Sequence, residues 1–391
     1  MSKEQPVPCT KSQLPRAIWR SCYTSRMDHT GRLKRLQTLL EGTSVNALLI
    51  THLPNIRYLC GFTGTSGVLA ILESEAMFFT DGRYSQQARA QVRGSRVVIA
   101  RKPPLAAAAE WLINSKNKIV RKGTIRLGIE GEHLTVAARS QLASSLRHDI
   151  KLRETRGLVE QARMVKDVHE IANLRAAAKL GASLFERALE VIRPGVKENE
   201  VAAEMEYLAR RSGAEEMSFP TIIAAGKRSA LPHGRASTAA IPSRGFVVCD
   251  FGVILSGYCS DRTRTVHVGR PTGEARRIYQ AVFEAQAAAI AAVKPGVSVG
   301  KVDEAARNVL KKKGLTRHFT HSTGHGVGLE IHEPPRIAAG QSQILQTGMV
   351  ITVEPGVYIT GSGGVRIEDM VVVTNQGCEI LASSNKELIT I

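Results

Sequence analysis

Between residues 28 and 156 the apolar positions fall into short runs separated by polar, helix-like stretches. VNALLI, GVLAIL and AMFF have the length and residue types of buried strands, and the helix-patterned YSQQARAQV leads into another strand, RVVIA. Strands alternating with helices predict a small α/β domain. The glycine-rich GFTGTSG lacks the Lys-Ser/Thr of a phosphate loop and reads as a turn.

From Leu158 the period lengthens. Val168, Ile171, Leu174 and Ala178 recur at three- and four-residue steps, and the pattern stops near Pro194-Gly195. The chain then repeats itself: LEVIRPGVKENEVAAEMEYLARRSG resembles AIAAVKPGVSVGKVDEAARNVLKKKG. Pro194, Val201 and Gly213 are matched by Pro295, Val302 and Gly314, each at an offset of 101. One pair of helix-PGV-helix units is too few for a solenoid and predicts a single α+β domain of two related halves, residues 157–391.

Each half continues into a strand pair that carries acids. In VVCDFGVILSGYCSDRTRTVHVG, Asp250 and Asp261 are cross-strand partners if the turn is centred between Leu255 and Ser256. In ITVEPGVYITGSGGVRIEDMVVV, Glu354 and Glu368 are partners about a turn centred on Gly361. Opposed residues of a hairpin have Cβ atoms about 5 Å apart, so each hairpin sets two like charges side by side among apolar neighbours, where unpaired charge is costly. Salt bridges to Arg262, Arg264 and Arg366 would be the structural alternative to a bound cation.

A third segment adds imidazoles. In HSTGHGVGLEIHEPP, residues 321–335, the spacing of His321 and His325 would suit one helical face, but Ser322, Thr323, Gly324, Gly326 and Gly328 are poor helix formers. Taken as a loop entering a short strand, the stretch puts Gly326, Gly328 and Glu330 on one face with His332, and His325 at the start of the other. Four carboxylates and an imidazole exceed what one catalytic metal takes and suit two divalent ions about 3.5–4 Å apart. Oxygen-rich ligands favour manganese or cobalt over a thiolate-type zinc site.

Composition adds limits. No apolar run reaches the roughly 18 residues of a membrane span, and the start lacks the apolar core of a secretory signal. Residues 1–27 are a basic extension, expected to be disordered, upstream of a start at Met27, or transit-like. The six cysteines have no paired spacing and read as reduced, mostly buried thiols. The net charge of +18 is spread along the chain without interleaved aromatics, which reads as solvated faces rather than a nucleic-acid surface.

On these residues the C-terminal part resembles the pita-bread metallopeptidases (peptidase family M24), which include methionine aminopeptidase, prolidase and aminopeptidase P. The family's D-x10-D pair, GHG histidine and two later glutamates match Asp250, Asp261, His325, Glu354 and Glu368. RMVKDVHEIANLRAAA, NIRYLCGFTGTSG and FTDGRYSQQA extend the likeness over nearly everything after Met27. The resemblance implies a pita-bread catalytic domain (157–391) behind a creatinase-type α/β domain (28–156).

It also implies roles. Asp250 would chelate one ion, His325 and Glu354 the other, with Asp261 and Glu368 bridging. Glu354 would move the proton of the attacking water, His233 and His332 would contact substrate and steady the tetrahedral intermediate, and His321 and Arg366 would lie at the substrate. His321 has a purely structural alternative, His267 and His318 match nothing in the family and read as structural, Tyr258 has an open role, and Cys259 reads as a core thiol. The expected activity is a cytoplasmic, homodimeric Xaa-Pro aminopeptidase with two divalent ions per subunit, acting on peptides with proline in second position. Xaa-Pro dipeptidase (prolidase) is the alternative, and a non-catalytic binding protein of the same fold the remote one. No nucleic-acid or membrane partner is expected.

Overall fold

The computed structural model describes residues 27–41, 43–114 and 125–391. The expected extension, apart from Met27, lies outside the described residues.

The predicted strands of the first part form one six-stranded mixed sheet in the order Arg96–Ala100, Ala76–Asp81, Val68–Leu72, Ala47–Ile50, Ile125–Glu130, Ile150–Thr155. Its central strands are buried along their whole length, as their unbroken apolar runs require. Helices His29–Glu41 and Leu53–Cys60 contribute to the core on one face, and Pro104–Asn114 packs on the other.

The second part is all antiparallel sheet beneath two helix pairs, Val168–Val191 with Glu198–Arg211 and Gly273–Ala292 with Val299–Lys312. The first helix of each pair ends, and the second begins and ends, 101 residues from its counterpart. Gly195 and Gly296 both take a left-handed conformation (φ 87° and 83°), and each amide donates to the backbone of a facing extended segment, at Ile241 O and Leu345 O, 2.9 Å in both cases. The internal duplication read from the sequence is therefore a repeat of structure. Val201 and Val302 are both fully buried, each in the separate core of its own half. Val168 is 73% exposed, and the buried stripe of its helix starts only at Glu170 and Leu174.

The two acid-bearing hairpins behave differently. Glu354 and Glu368 stand opposite one another, because Val353 pairs with Asp369 on one side of them and Gly356 with Arg366 on the other, about a turn containing Gly361 (φ 82°). In the first hairpin Asp250 pairs with Thr263 rather than Asp261. Leu255 pairs with Tyr258, so the turn is centred between Ser256 (φ 52°) and Gly257 (φ 79°). A two-residue turn with both central residues left-handed matches the twist of its strands, and the glycine belongs inside it. That moves the register by two residues, which makes the aspartates diagonal neighbours but keeps them on one face.

The expected strand through Gly326 to His332 is also corrected. The ladder Gly324–Gly326 has a register shift at His325/Gly326, residues 327–332 are irregular, and pairing resumes at Glu333–Ile337. A Cβ on Gly328 would stand 2.6 Å from the Glu333 carboxylate, which turns back under this loop. Gly324 allows a similar close approach: a Cβ there would lie 2.0 Å from the Thr352 carbonyl oxygen of the neighbouring strand. Backbone cannot rotate away as a side chain can. Gly324→Ala is expected to lower stability by about 1–3 kcal/mol or more in denaturant titration and to displace the adjoining His325.

Candidate metal centre

Strand register brings together five side chains that are far apart in sequence. Asp250 sits near the end of Gly245–Phe251, Asp261 just ahead of Arg262–Val268, His325 in Gly324–Gly326, and Glu354 and Glu368 at the break between their two ladders. Ligand atoms of Asp261, His325 and Glu368 all lie within 4.8 Å of one another. His325 Nε2 is 3.5 Å from both Asp261 Oδ2 and Glu354 Oε1. Its Nδ1 lies 3.0 Å from the Gly326 carbonyl, which can only accept, so Nε2 is the nitrogen turned to the carboxylates and the one that would ligate a metal on losing its proton.

The arrangement is costly for protein atoms alone. Burial, with Asp250 close by, raises the Asp261 carboxyl to about 6 even against His325. Burial with Asp261 and Asp250 raises Glu354 to about 7, and burial with the other three acids lifts Glu368 well above the carboxylate range. Burial would lower His325, yet Asp261 and Glu354 bring it to about 9. Asp250 Oδ1 and Glu368 Oε1 are buried without a hydrogen-bond partner. Orphaned buried carboxylate oxygens beside an oriented imidazole are the donor set of a divalent-metal site, and the five residues fit one.

Among the described residues the arginines do not neutralise this cluster. Arg264 and Arg262 turn to Asp369 and Ser384, and Arg366 alone meets one of the four acids, Asp250 Oδ2. Arg366 also donates to Tyr358 Oη (2.5 Å), and Tyr358 lies 2.9 Å from His321 Nε2. His321 Nδ1 donates to Ser322 O, and burial followed by Arg366 lowers its pKa to about 4, so the neutral ring accepts from Tyr358. Both nitrogens of His321 are thus engaged by protein.

These groups open into a cavity of about 740 Å³ walled by His233, His321, His332, Arg235, Arg336 and Phe219 among others. His332 stands edge-on to His325, ring centroids 4.4 Å apart. His267 is buried against Phe246 with Nδ1 bonded to Gly269 O, and His318 meets Arg317, both away from the cavity lining. Tyr258 directs its hydroxyl to Glu170, and Cys259 is a buried free thiol held up to about 12 by burial. Sequence reasoning missed Tyr358 and Thr263, whose hydroxyl donates to Glu368 Oε2 at 2.7 Å. Thr263 was within reach of it, since it lies two residues beyond Asp261 on the same face.

A mixed sheet domain preceding a duplicated antiparallel domain, with a carboxylate-histidine cluster at the floor of a large cleft, defines a two-domain metallopeptidase of the pita-bread class. Residues 172–375 match metallopeptidase family M24, and residues 32–165 match the creatinase/prolidase N-terminal domain. The chain belongs to this family. It is 40% identical over 358 residues to an uncharacterized peptidase of Bacillus subtilis (strain 168), covering 92% of this chain and 99% of that one. It is 36% identical over 360 residues to a Xaa-Pro dipeptidase of Pyrococcus furiosus, covering 92% and 99%. Among solved structures, a Xaa-Pro dipeptidase from Bacillus anthracis superposes with a TM-score of 0.89 at 40% identity, covering 93% of this chain and all of that one. An X-Pro aminopeptidase from Thermotoga maritima gives 0.82 at 34%, covering 91% and all of it.

In protein stripped of metal, the folded state holds the Glu354 proton up to about pH 7 whereas an ordinary glutamate releases it near 4.5. Stability tied to this group is therefore present at low pH, falls as pH rises through that interval, and is lost above it. Glu354→Gln removes the charge. The chelated variant is expected to match chelated wild type in melting temperature at pH 4 and to exceed it at pH 8.

Proposed function

We propose that the chain is a dinuclear-metal exopeptidase that hydrolyses the bond between an N-terminal residue and a following proline, and that it acts as a Xaa-Pro aminopeptidase. The observation that carries this is the five-residue cluster at the floor of a cavity of about 740 Å³. Pockets of ~300–1,000 Å³ enclose drug-sized ligands, and a tri- or tetrapeptide uses that space more fully than a dipeptide. The expected division into residues 28–156 and 157–391, a homodimeric assembly and a cytoplasmic location go with this proposal. No helix among the described residues is long and apolar enough to cross a membrane.

Asp250, Asp261, His325, Glu354 and Glu368 would hold two divalent ions, with manganese favoured by the carboxylate-rich set and cobalt or zinc as substitutes. When bound, the ions lower the pKa of water towards neutrality and polarise the scissile carbonyl. Glu354 takes the proton from the attacking water and returns it to the proline nitrogen as the new C–O bond forms and the C–N bond breaks. His233 and His332 donate to the oxygen that gains charge in the tetrahedral intermediate. Arg366 fixes Asp250, and Tyr358 and His321 hold Arg366 in place. His321 acts through this chain of hydrogen bonds, while its position in the cavity wall keeps it beside the substrate.

A dipeptidase reading is favoured by the Xaa-Pro dipeptidases among the relatives and by Arg235 and Arg336 in the cavity wall, which could pair with a proline carboxylate. Hydrolysis of Gly-Pro and Arg-Pro-Pro, compared after chelation and readdition of manganese, cobalt or zinc, separates the two. Release of arginine from the tripeptide supports the aminopeptidase, cleavage of Gly-Pro alone supports the dipeptidase, and no cleavage with any metal overturns both. Glu354→Gln and Asp261→Asn are each expected to abolish turnover while the far-ultraviolet circular dichroism stays unchanged. If dipeptides are the substrate, Arg336→Ala raises KM for Gly-Pro more than it lowers kcat.

A further inference from the structure

The segment that carries His332 has no regular structure of its own, yet its backbone is anchored on both sides of that residue. Glu333 is buried beneath it and accepts hydrogen bonds from the Glu330 amide (3.1 Å), from Lys166 Nζ (3.2 Å) and from Arg163. Glu330 accepts from Arg163 Nη2 (2.8 Å) and lies 3.0 Å from His52 Nε2. Arg163, Lys166 and Glu333 have side chains 2%, 1% and 3% exposed, so these charges meet out of water. A ring closes the loop locally: the Gly328 amide donates to Glu330 O, and Cys259 N to Gly328 O.

Arg163 is itself held from the first sheet domain. Its Nη1 donates to Asn55 Oδ1 at 2.6 Å, and Asn55 Nδ2 donates to Glu130 (2.7 Å) and Glu160 (2.6 Å). His52 and Asn55 belong to the helix Leu53–Cys60 and its cap, and Glu130 ends a strand of the six-stranded sheet. A continuous line of charge-assisted hydrogen bonds therefore runs from the N-terminal sheet to the residues immediately flanking His332. The ring of His332 stands edge-on to His325 in the wall of the large cavity, and His332 also borders a smaller cavity of about 280 Å³ that it shares with Arg163, Glu330 and Glu333.

We propose that Arg163 is a positioning residue for His332, and that through Asn55 and His52 the N-terminal domain sets the place of this substrate-facing imidazole within the same chain. The role given to His332 rests on the function proposed above. The guanidinium is required because three partners converge on one planar group, Asn55 on Nη1 and both Glu330 and Glu333 on Nη2. A lysine ammonium is a single point charge and cannot meet all three in that geometry.

The test uses the full-length, metal-loaded enzyme. Arg163→Lys is expected to lower kcat/KM on the preferred Xaa-Pro peptide by about 10- to 100-fold, the usual effect of losing a group that orients a ligand, with unchanged metal content. His52→Ala, which removes the contact to Glu330 and the stack on His133 (ring centroids 3.6 Å) and leaves the buried Arg163–Glu333 pair intact, gives a smaller loss in the same direction. In a His332→Ala background the Arg163→Lys change costs nothing further, because the group it positions is gone. An equal fold-loss in both backgrounds, or loss of bound metal in Arg163→Lys, overturns the proposal. Independently of turnover, imidazole NMR signals assigned to His332 by their absence in His332→Ala shift in both single variants; unmoved signals also overturn it. A wild type that cleaves no Xaa-Pro peptide refutes the functional reading instead, and the NMR comparison still decides the positioning.

Discussion

Four carboxylates converge on one small volume, and the rest of the catalytic domain is arranged around the cost of that convergence. Like charges a few ångströms apart in a buried site cannot all stay ionised without a counter-charge. The sheets supply the geometry by register alone, and within the described chain Arg366 and His325 are the cations in contact with the cluster. What remains is a surplus of carboxylate oxygens, two of them orphaned, which divalent ions would satisfy. Stability is given up at this place to obtain a binding site, and the two apolar cores behind the sheets, one under each helix pair, offset the loss.

Around the cluster the supporting residues form layers of decreasing reach. Thr263 orients Glu368, Tyr358 and Arg366 orient Asp250, and Asp303 with Arg307 holds the loop bearing His321 through Thr323 Oγ1 and the His321 carbonyl. Farther out, Arg264 ties Asp369 and the Glu368 carbonyl to the strand of the other half. None of these side chains is on a flexible surface segment: Arg264 and Arg366 are 2% and 3% exposed and Asp303 is fully buried. Rigid support of this kind lets a cleft as open as this one keep its reactive groups in place while peptides enter and leave.

Much of this was legible along the chain because the physics involved is periodic. The buried strands of the first sheet announce themselves as unbroken apolar runs, and the offset of 101 residues between Pro194 and Pro295 exposes the duplication. The Glu354–Glu368 register followed from a glycine turn. The Asp250–Asp261 register missed by two because the turn preference of Ser256-Gly257 outweighed direct opposition of the aspartates, and parity alone preserved the shared face. The loop after His325 was misread as strand. Its shape is dictated by Glu333, and Glu333 is fixed by Arg163 and Lys166, some 170 residues earlier. Contacts of that separation leave no mark on local periodicity. Tyr358 escaped for another reason: Arg366 is only eight residues away across the same hairpin, but a tyrosine in a strand reads as packing until His321 is seen beside it.

The duplication divides the ligands between its halves. Asp250 and Asp261 come from the first, whereas His325, Glu354 and Glu368 come from the second. Neither half carries enough donors to hold a pair of ions by itself, so metal capture must wait until both have been synthesised and docked. A newly made chain is thus kept from cutting anything, including its unfinished neighbours on the same message, until its last hundred residues have left the ribosome. Completion of folding acts as a safety catch on the hydrolase.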